Sequence, residues 1–434
     1  MACRRPRMAR AFASLPCLAL GGCGAGDAGY ATARAVIDTV AGVERIRHDA
    51  APGPSLDWTA DTVVVIGDAM ADDPYQFQPP GDAGLAGDPA GHVLVVDRQG
   101  TRVLEYGPEG RHVATHGRRG GGPGELSFPI DLDVGPGDTI WVNDLGNRRL
   151  TGYPRDGGEP RTVPYPEADV FPGGRIEALN DGFIQVRGAI GPPDRPIPEP
   201  LMRLDTALKA LDTLWVRPPE PMELAEIEVD GGRLMLGLVP EFWPAFHWRA
   251  LSDGQVVVAD SADYVLRILG PRGDVRRIIR REPPARPTTD ADREAVRERI
   301  RRDAGADGAA GEGGAARDRR RRIAEERLAR LTFADRIPRI VDLAVDRADR
   351  IWVGVSEDST DVVQRIDLYD HGGVLLGELR GVPMPLAFAG ADRILRFRRD
   401  ELDVPQIVVL RLEGMTRAAT GRADPDAGAA RPRD

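Results

Sequence analysis

The sequence predicts an all-β protein, a six-bladed β-propeller built of four-stranded antiparallel blades. Three observations carry that prediction. A phrase of Gly-rich loop, short apolar strand, tight turn and second strand runs from Gly117 to Tyr153 and returns in weaker copies almost to the C-terminus, the signature of a radial repeat. Glycine (51) and proline (37) are abundant while Val, Ile and Leu come in short runs, a pattern that favours many short strands joined by turns. Finally, each end of the repeat array carries the part of a blade that the other end lacks.

The first 22 residues read as an export signal. Arg4, Arg5, Arg7 and Arg10 precede an apolar stretch, Ala11 to Leu20, too short to remain in a bilayer as a spanning helix. It ends in Leu20-Gly21-Gly22-Cys23, which resembles a bacterial lipobox; a plain secretory signal is the competing reading. The resemblance implies cleavage before Cys23 and acylation of its thiol, which would anchor the chain to a membrane without crossing it. Gly24 does not resemble the aspartate that retains lipoproteins at the inner membrane. The implied address is the bacterial outer membrane, facing the periplasm or the cell surface. The other cysteines, Cys3 and Cys17, would leave with the signal, so the mature chain would hold no disulfide and no Cys-based metal site.

Residues 23–41 are rich in small side chains and are expected to form a flexible linker, with the propeller covering 42–413. Six units are anchored on the turn before each second strand, at Gly91, Asp138, Gly182, Gly254, Arg350 and Arg393. Each anchor leads into an apolar run such as Val93-Leu94-Val95-Val96 or Ile351-Trp352-Val353. The shorter intervals match the roughly 40–50 residues of a four-stranded blade. The longer ones hold extras: a Pro-rich excursion at Gly191 to Pro196, and a charged segment at 288–333. After Arg393 only two strands remain, while Asp61 to Ile66 forms a strand with no blade of its own. Pairing those ends would close the ring and remove its exposed edges. Six blades is the economical count and seven its competitor. The tail, 414–434, is rich in Ala, Arg, Asp and Gly and is expected to be disordered.

The segment 288–333 breaks the β pattern. Thr288-Thr289-Asp290 offers N-cap chemistry, good helix formers follow, and Ala324, Leu328 and Leu331 make a narrow apolar stripe. A helical hairpin projecting from one face of the ring is expected, and the channel mouth is a surface it could cover. Its Arg319 to Arg322 run reads first as a solvated helix face. The formal charge of −10 argues against a general nucleic-acid binder.

Candidate chemistry is sparse. Asp144, Asn147 and Arg148 could be taken for catalytic machinery, but Asp97 and Asp260 recur at the equivalent place six positions past their anchors. Recurrence points to a turn-stabilising role, the carboxylate accepting backbone or arginine hydrogen bonds. Gly117 to Gly124 lacks the Lys-Ser/Thr of a phosphate-binding loop. Aligning second strands places Asp131 and Asp342 at matching positions of the innermost strands, with His247 one residue out of register. These three could converge in the central channel and hold calcium or another divalent cation; satisfied polar residues facing channel water is the alternative. No Gly-x-Ser-x-Gly, His-Glu-x-x-His or EF-hand motif occurs.

Gly124-Glu125-Leu126-Ser127-Phe128-Pro129, followed by Ile140-Trp141-Val142-Asn143-Asp144 and Asn147-Arg148, resembles the NHL repeat. The chain as a whole, over roughly 45–413, looks like the bacterial six-bladed NHL- or TolB-like propeller lipoproteins. The resemblance is specific in the second blade and faint in the third and sixth. It implies a spread of functions, from protein- and RNA-binding modules to a few metal-dependent lyases and lactonases. Two expectations follow. The first is a cell-envelope lipoprotein whose propeller is a binding or scaffold module for a protein, peptide or glycan. The second is a metal-dependent hydrolase or lyase acting at the channel through Asp131, His247 and Asp342.

Overall fold

The computed structural model describes residues 35–415, apart from 69, 72, 82–83, 167–169, 190–197, 218–220, 230–231, 260–262, 283–284, 306–313 and 361. Its sheets form a six-bladed propeller. The inner strands, in blade order, are Leu85–Gly87, Pro129–Gly135, Val170–Leu179, His247–Ala250, Ile340–Val345 and Ala387–Ala389. In each blade the chain runs antiparallel from the inner strand outwards. The expected anchors hold, since each turn opens a second strand, as at Val93–Asp97 and Thr139–Asp144. Gly91 and Asp138 stand at φ +90° and +56°, a left-handed conformation that favours Gly, Asn and Asp in tight turns.

Each pair of neighbouring blades buries its own apolar core. Between blades one and two, Leu94, Val96 and Val103 meet Leu126, Ile140 and Val142. The other five interfaces follow the same plan, including that between blades six and one, where Leu395, Ile407 and Val409 meet Val93, Val95 and Leu104. Six interfaces with no missing wedge make a closed ring, in which stability comes from nearest-neighbour packing.

The N-terminal region does more than close the circle. Thr59–Ile66 pairs antiparallel with Pro405–Glu413 and supplies the outer strand of blade six, as the leftover strand required. Before it, Ala35–Val40 and Val43–His48 form a hairpin, and the latter runs parallel along Val275–Arg281, the outer strand of blade four. The linker expected over 23–41 therefore gives way to a strand from Ala35. Between hairpin and closing strand, Leu56 N–H donates to the Glu378 carbonyl (2.9 Å) and Glu378 N–H to that of Pro54 (2.8 Å) in blade five. The segment thus belts the outer edges of blades four, five and six. The buried Arg281 guanidinium secures it, held between Asp367 and Glu378, while Gly53 N–H donates to Glu378 Oε1 at 2.7 Å.

Two excursions leave the connections between blades. A two-stranded hairpin, Glu223–Val229 with Gly232–Leu238, precedes blade four. The expected helical hairpin precedes blade five as α1 (Asp290–Gly305) and α2 (Gly314–Ala329). Its start is a capping box: Thr289 Oγ1 accepts from Asp292 N–H (3.3 Å) and Asp292 Oδ2 accepts from Thr289 N–H (2.9 Å). Ala324, Leu328 and Leu331 do face one way, against Val296, Ile300, Phe242 and Ile337. Arg299 and Arg327 both reach Glu241, at 2.9 Å each, so the helices pack on the segment that leads into blade four.

Candidate functional site: the central channel

The inner strands converge on a cavity of about 1030 Å³ that residues of all six blades line. Antiparallel order puts the first turn of every blade at one end of the ring and the connections between blades at the other. Pro89, Asp138, Asp181, Asp253 and Asp349, all from first turns, line the cavity, and no described residue of 288–333 does. The mouth therefore opens away from the helical hairpin, whose connection leaves the ring at the opposite end.

Successive residues of an inner strand point alternately into the channel and into the inter-blade core. Residues two apart therefore share a side, as do Asp131 and Asp133 on blade two, Arg175 and Glu177 on blade three, and His247 and Arg249 on blade four. Asp131 was expected as a metal ligand, yet both its oxygens are taken by backbone donors. Oδ1 accepts from Gly84 N–H at 3.0 Å and Oδ2 from Ile176 N–H at 2.9 Å. It fastens the inner strands of blades one, two and three. Burial pushes its carboxyl above the usual range, against the pull of Arg175 and those two bonds. Asp342 accepts from its neighbour Leu343 N–H at 2.7 Å. His247 Nε2 is buried with no partner among the described residues. Burial, then Arg249 and Arg217, pull this imidazole down to about 4, so it is neutral at physiological pH. Among the described residues no three His, Cys, Asp or Glu side chains stand where they could share a metal ion. The channel does not assemble Asp131, His247 and Asp342 into the expected calcium-type site, because Asp131 is spent on backbone.

Two residues further along, the same faces carry the charges that line the cavity. Asp133 Oδ2 accepts from Ala178 N–H at 2.8 Å, joining blade two to three. Glu177 Oε2 accepts from Ala250 N–H, joining blade three to four. Glu177 is pushed up to about 7, by burial first, with Arg175 and Arg249 pulling the other way. Arg175 approaches Glu177 at 4.0 Å. Arg249 donates to the Trp248 carbonyl at 2.7 Å; burial and Arg175 pull its guanidinium down to about 10, still fully charged at neutral pH. Arg347, from blade five, donates to the carbonyls of Gly87 and Phe388. The floor of the cavity thus holds Arg175 and Arg249, with Asp133 and Glu177 committed to backbone, while Arg347 stands on the first turn of blade five, at the mouth. Sequence reading missed Asp133, Arg175, Glu177, Arg249 and Arg347. Stepping two residues on from Asp131 and His247 would have reached Asp133 and Arg249.

Two of the recurrent aspartates, Asp144 and Asp97, accept hydrogen bonds from turn residues. Asp144 is fully buried and accepts from Ser127 N–H (3.1 Å), Phe128 N–H (2.8 Å) and Asn147 Nδ2 (2.7 Å). Asp97 accepts from Gln78 N–H and Gly100 N–H, each at 3.1 Å, and from Arg102 Nε at 2.9 Å. Asn147 also donates to the Gly120 carbonyl at 2.9 Å, pinning the Gly-rich loop as structure. Arg148 occupies a left-handed turn at φ +50°. Asp260 and Cys23 lie outside the described residues.

Comparison with known proteins agrees with the repeat. NHL repeat-containing protein 3 from Homo sapiens is 28% identical over 89 residues, 20% of this chain; the chain spans only 25% of that relative's length. Among solved structures, a putative exported protein from Bacteroides fragilis NCTC 9343 is similar at 11% identity, covering 85% of this chain and 99% of that one (TM-score 0.44). A duf4221 family member from Bacteroides vulgatus ATCC 8482 is similar at 9%, covering 82% and 98% (TM-score 0.44). Virginiamycin B lyase from Staphylococcus aureus is similar at 11%, covering 82% and 99% (TM-score 0.38). No protein-family model matches the sequence. The chain is a six-bladed β-propeller with NHL-repeat similarity in part of its length.

Proposed function

We propose that this chain is a lipid-anchored protein of the bacterial cell envelope whose propeller is a binding module for a protein, peptide or glycan. One observation carries the binding role: a wide cavity, fed by all six blades, whose carboxylates Asp133 and Glu177 are tied to backbone N–H groups. Each of these carboxylates answers an N–H of the next blade, so it holds the ring together as well as lining the cavity. The cavity lies at the large end of the range for small-ligand sites. Charge supports a partner other than nucleic acid, since the chain is formally −10.

The anchor rests on Leu20 to Cys23. Growth with a clickable palmitate should label the wild-type protein and leave Cys23→Ala unlabelled; label on both would remove the anchor from the reading. The binding role is tested with the purified mature chain by calorimetry against envelope peptides, neutral glycans and acidic glycans. Saturable binding to one class is expected. Silence across the panel, with turnover of a lactone or ester that a chelator abolishes, would replace the binding module with the hydrolase or lyase.

A further inference from the structure

Resting on the binding reading, we infer that the cavity takes a peptide chain end, its free C-terminal carboxylate seated between Arg175 and Arg249. Three features of the cavity select that ligand.

The first is the state of the two guanidiniums. Each offers five N–H donors in a planar fork suited to a carboxylate. Arg249 gives one contact to the Trp248 carbonyl, and Arg175 meets Glu177 only at 4.0 Å. Both line the cavity. The carboxylates nearest them are engaged by backbone: Glu177 accepts from Ala250 N–H, Asp133 from Ala178 N–H, and Asp131 from Gly84 and Ile176 N–H. Two neighbouring cations with spare donors form a receptor for an anion.

The second feature is the rim. Asp138, Asp181, Asp253 and Asp349 stand on the first turns of four successive blades. Asp138 and Asp181 are well exposed and pair with Arg155 and Arg203. Asp253 and Asp349 take donors from Gln255 and Ser252, which are neutral. Arg203 and Arg347 also line this end, but the aspartates outnumber them, so the entrance is acidic overall and lies above Arg175 and Arg249. A ligand matching that polarity carries a negative end and a positive charge behind it. A polyuronate places further carboxylates against the rim and is disfavoured.

The third feature is depth. On blade three, Arg175 stands four residues before Leu179, where the inner strand ends, along chain that rises about 3.3 Å per residue. Floor and rim are thus roughly 13 Å apart on that side, the span of an extended peptide of about four residues. Lysine or arginine about four residues before the terminus would reach the rim.

The test uses the full mature chain and a fluorescein-labelled octapeptide library, randomised over its last four positions behind two lysines. It is prepared as free acid and as C-terminal amide and followed by anisotropy. The acid should bind at least tenfold tighter than the amide. Arg249→Gln and Arg175→Gln should each erase that preference while melting as the wild type does. Asp253→Asn with Asp349→Asn should weaken the acid library and leave an otherwise identical library lacking the lysines unchanged. Equal binding of acid and amide, or tighter binding of an oligogalacturonate, overturns the inference and leaves the binding module standing. Silence from both libraries, when another panel ligand binds, does the same. Silence from the entire panel removes the binding reading itself.

Discussion

Replacing Glu177 by glutamine should make the protein more stable at alkaline pH and leave it nearly unchanged in mild acid. The carboxyl lies between blades three and four with 15% of its side chain exposed and accepts the Ala250 N–H. Burial lifts it from an ordinary 4.5 to about 7. A carboxyl whose folded value exceeds its unfolded one favours folding most below the unfolded value. That advantage is lost as pH rises through the folded value. A rise of this size carries about 3 kcal/mol across the window from pH 4.5 to 7. Glutamine keeps an oxygen for Ala250 N–H and never ionises, so Glu177→Gln escapes the loss. In a ring of this size the gain corresponds to a melting point about 4 °C higher at pH 8.5. At pH 5 the two proteins should melt within a degree or so. Thermal melts by circular dichroism at both pH values decide the matter. A difference that is the same at pH 5 and pH 8.5 would show that Glu177 titrates like a solvated carboxyl, and the account of the channel floor would fall with it.

Other perturbations bear on the ring itself. Asp144→Ala leaves the donors of Ser127, Phe128 and Asn147 without their acceptor and should cost about 2–4 kcal/mol in urea unfolding. Asp342→Asn, whose carboxylate accepts only from its neighbour among the described residues, should stay within about 0.5 kcal/mol. Deleting the chain through Ile66 removes the outer strand of blade six; the product should aggregate on size exclusion, because the freed edge of Pro405–Glu413 is long and unpaired. Excising 288–335 is expected to leave a cooperative melt and an unchanged acid-over-amide preference. Arg286 and Pro287 already pair with Ile337 and Arg336, so the cut ends adjoin, and the cavity opens on the other face.

Much of the fold was legible because its signals are local. Turn residues with left-handed backbone, such as Gly91 and Asp138, must recur where tight turns recur, and apolar pairs of strands follow them. Ring closure was legible by elimination, since Asp61 to Ile66 had no other partner. The hairpin at Ala35–His48 was not, because its parallel pairing with Val275–Arg281 joins segments more than two hundred residues apart, and nothing local announces such a contact. The hairpin Glu223–Leu238 was hidden for a different reason. Ala225 and Ile227 alternate with Glu226 and Glu228 as a strand should, but the pair stands between blades and so falls outside the repeat by which the ring was counted.

The candidate site was read one layer too far from the mouth. Asp131, His247 and Asp342 stand near the start of their inner strands, at the end where blades connect. There the strands crowd together and backbone donors of adjacent blades need acceptors. Buried N–H groups must be satisfied, so a carboxylate at that depth becomes structure: Asp131 serves Gly84 and Ile176 at once. Nearer the first turns, where the cavity opens, Asp133 and Glu177 each still answer one N–H of the next blade. Arginine has no acceptor to offer a backbone N–H, so Arg175 and Arg249 cannot be absorbed into that stapling. Their spare donors are left facing the cavity, and in this propeller the side chains least useful to the ring are the ones free to bind.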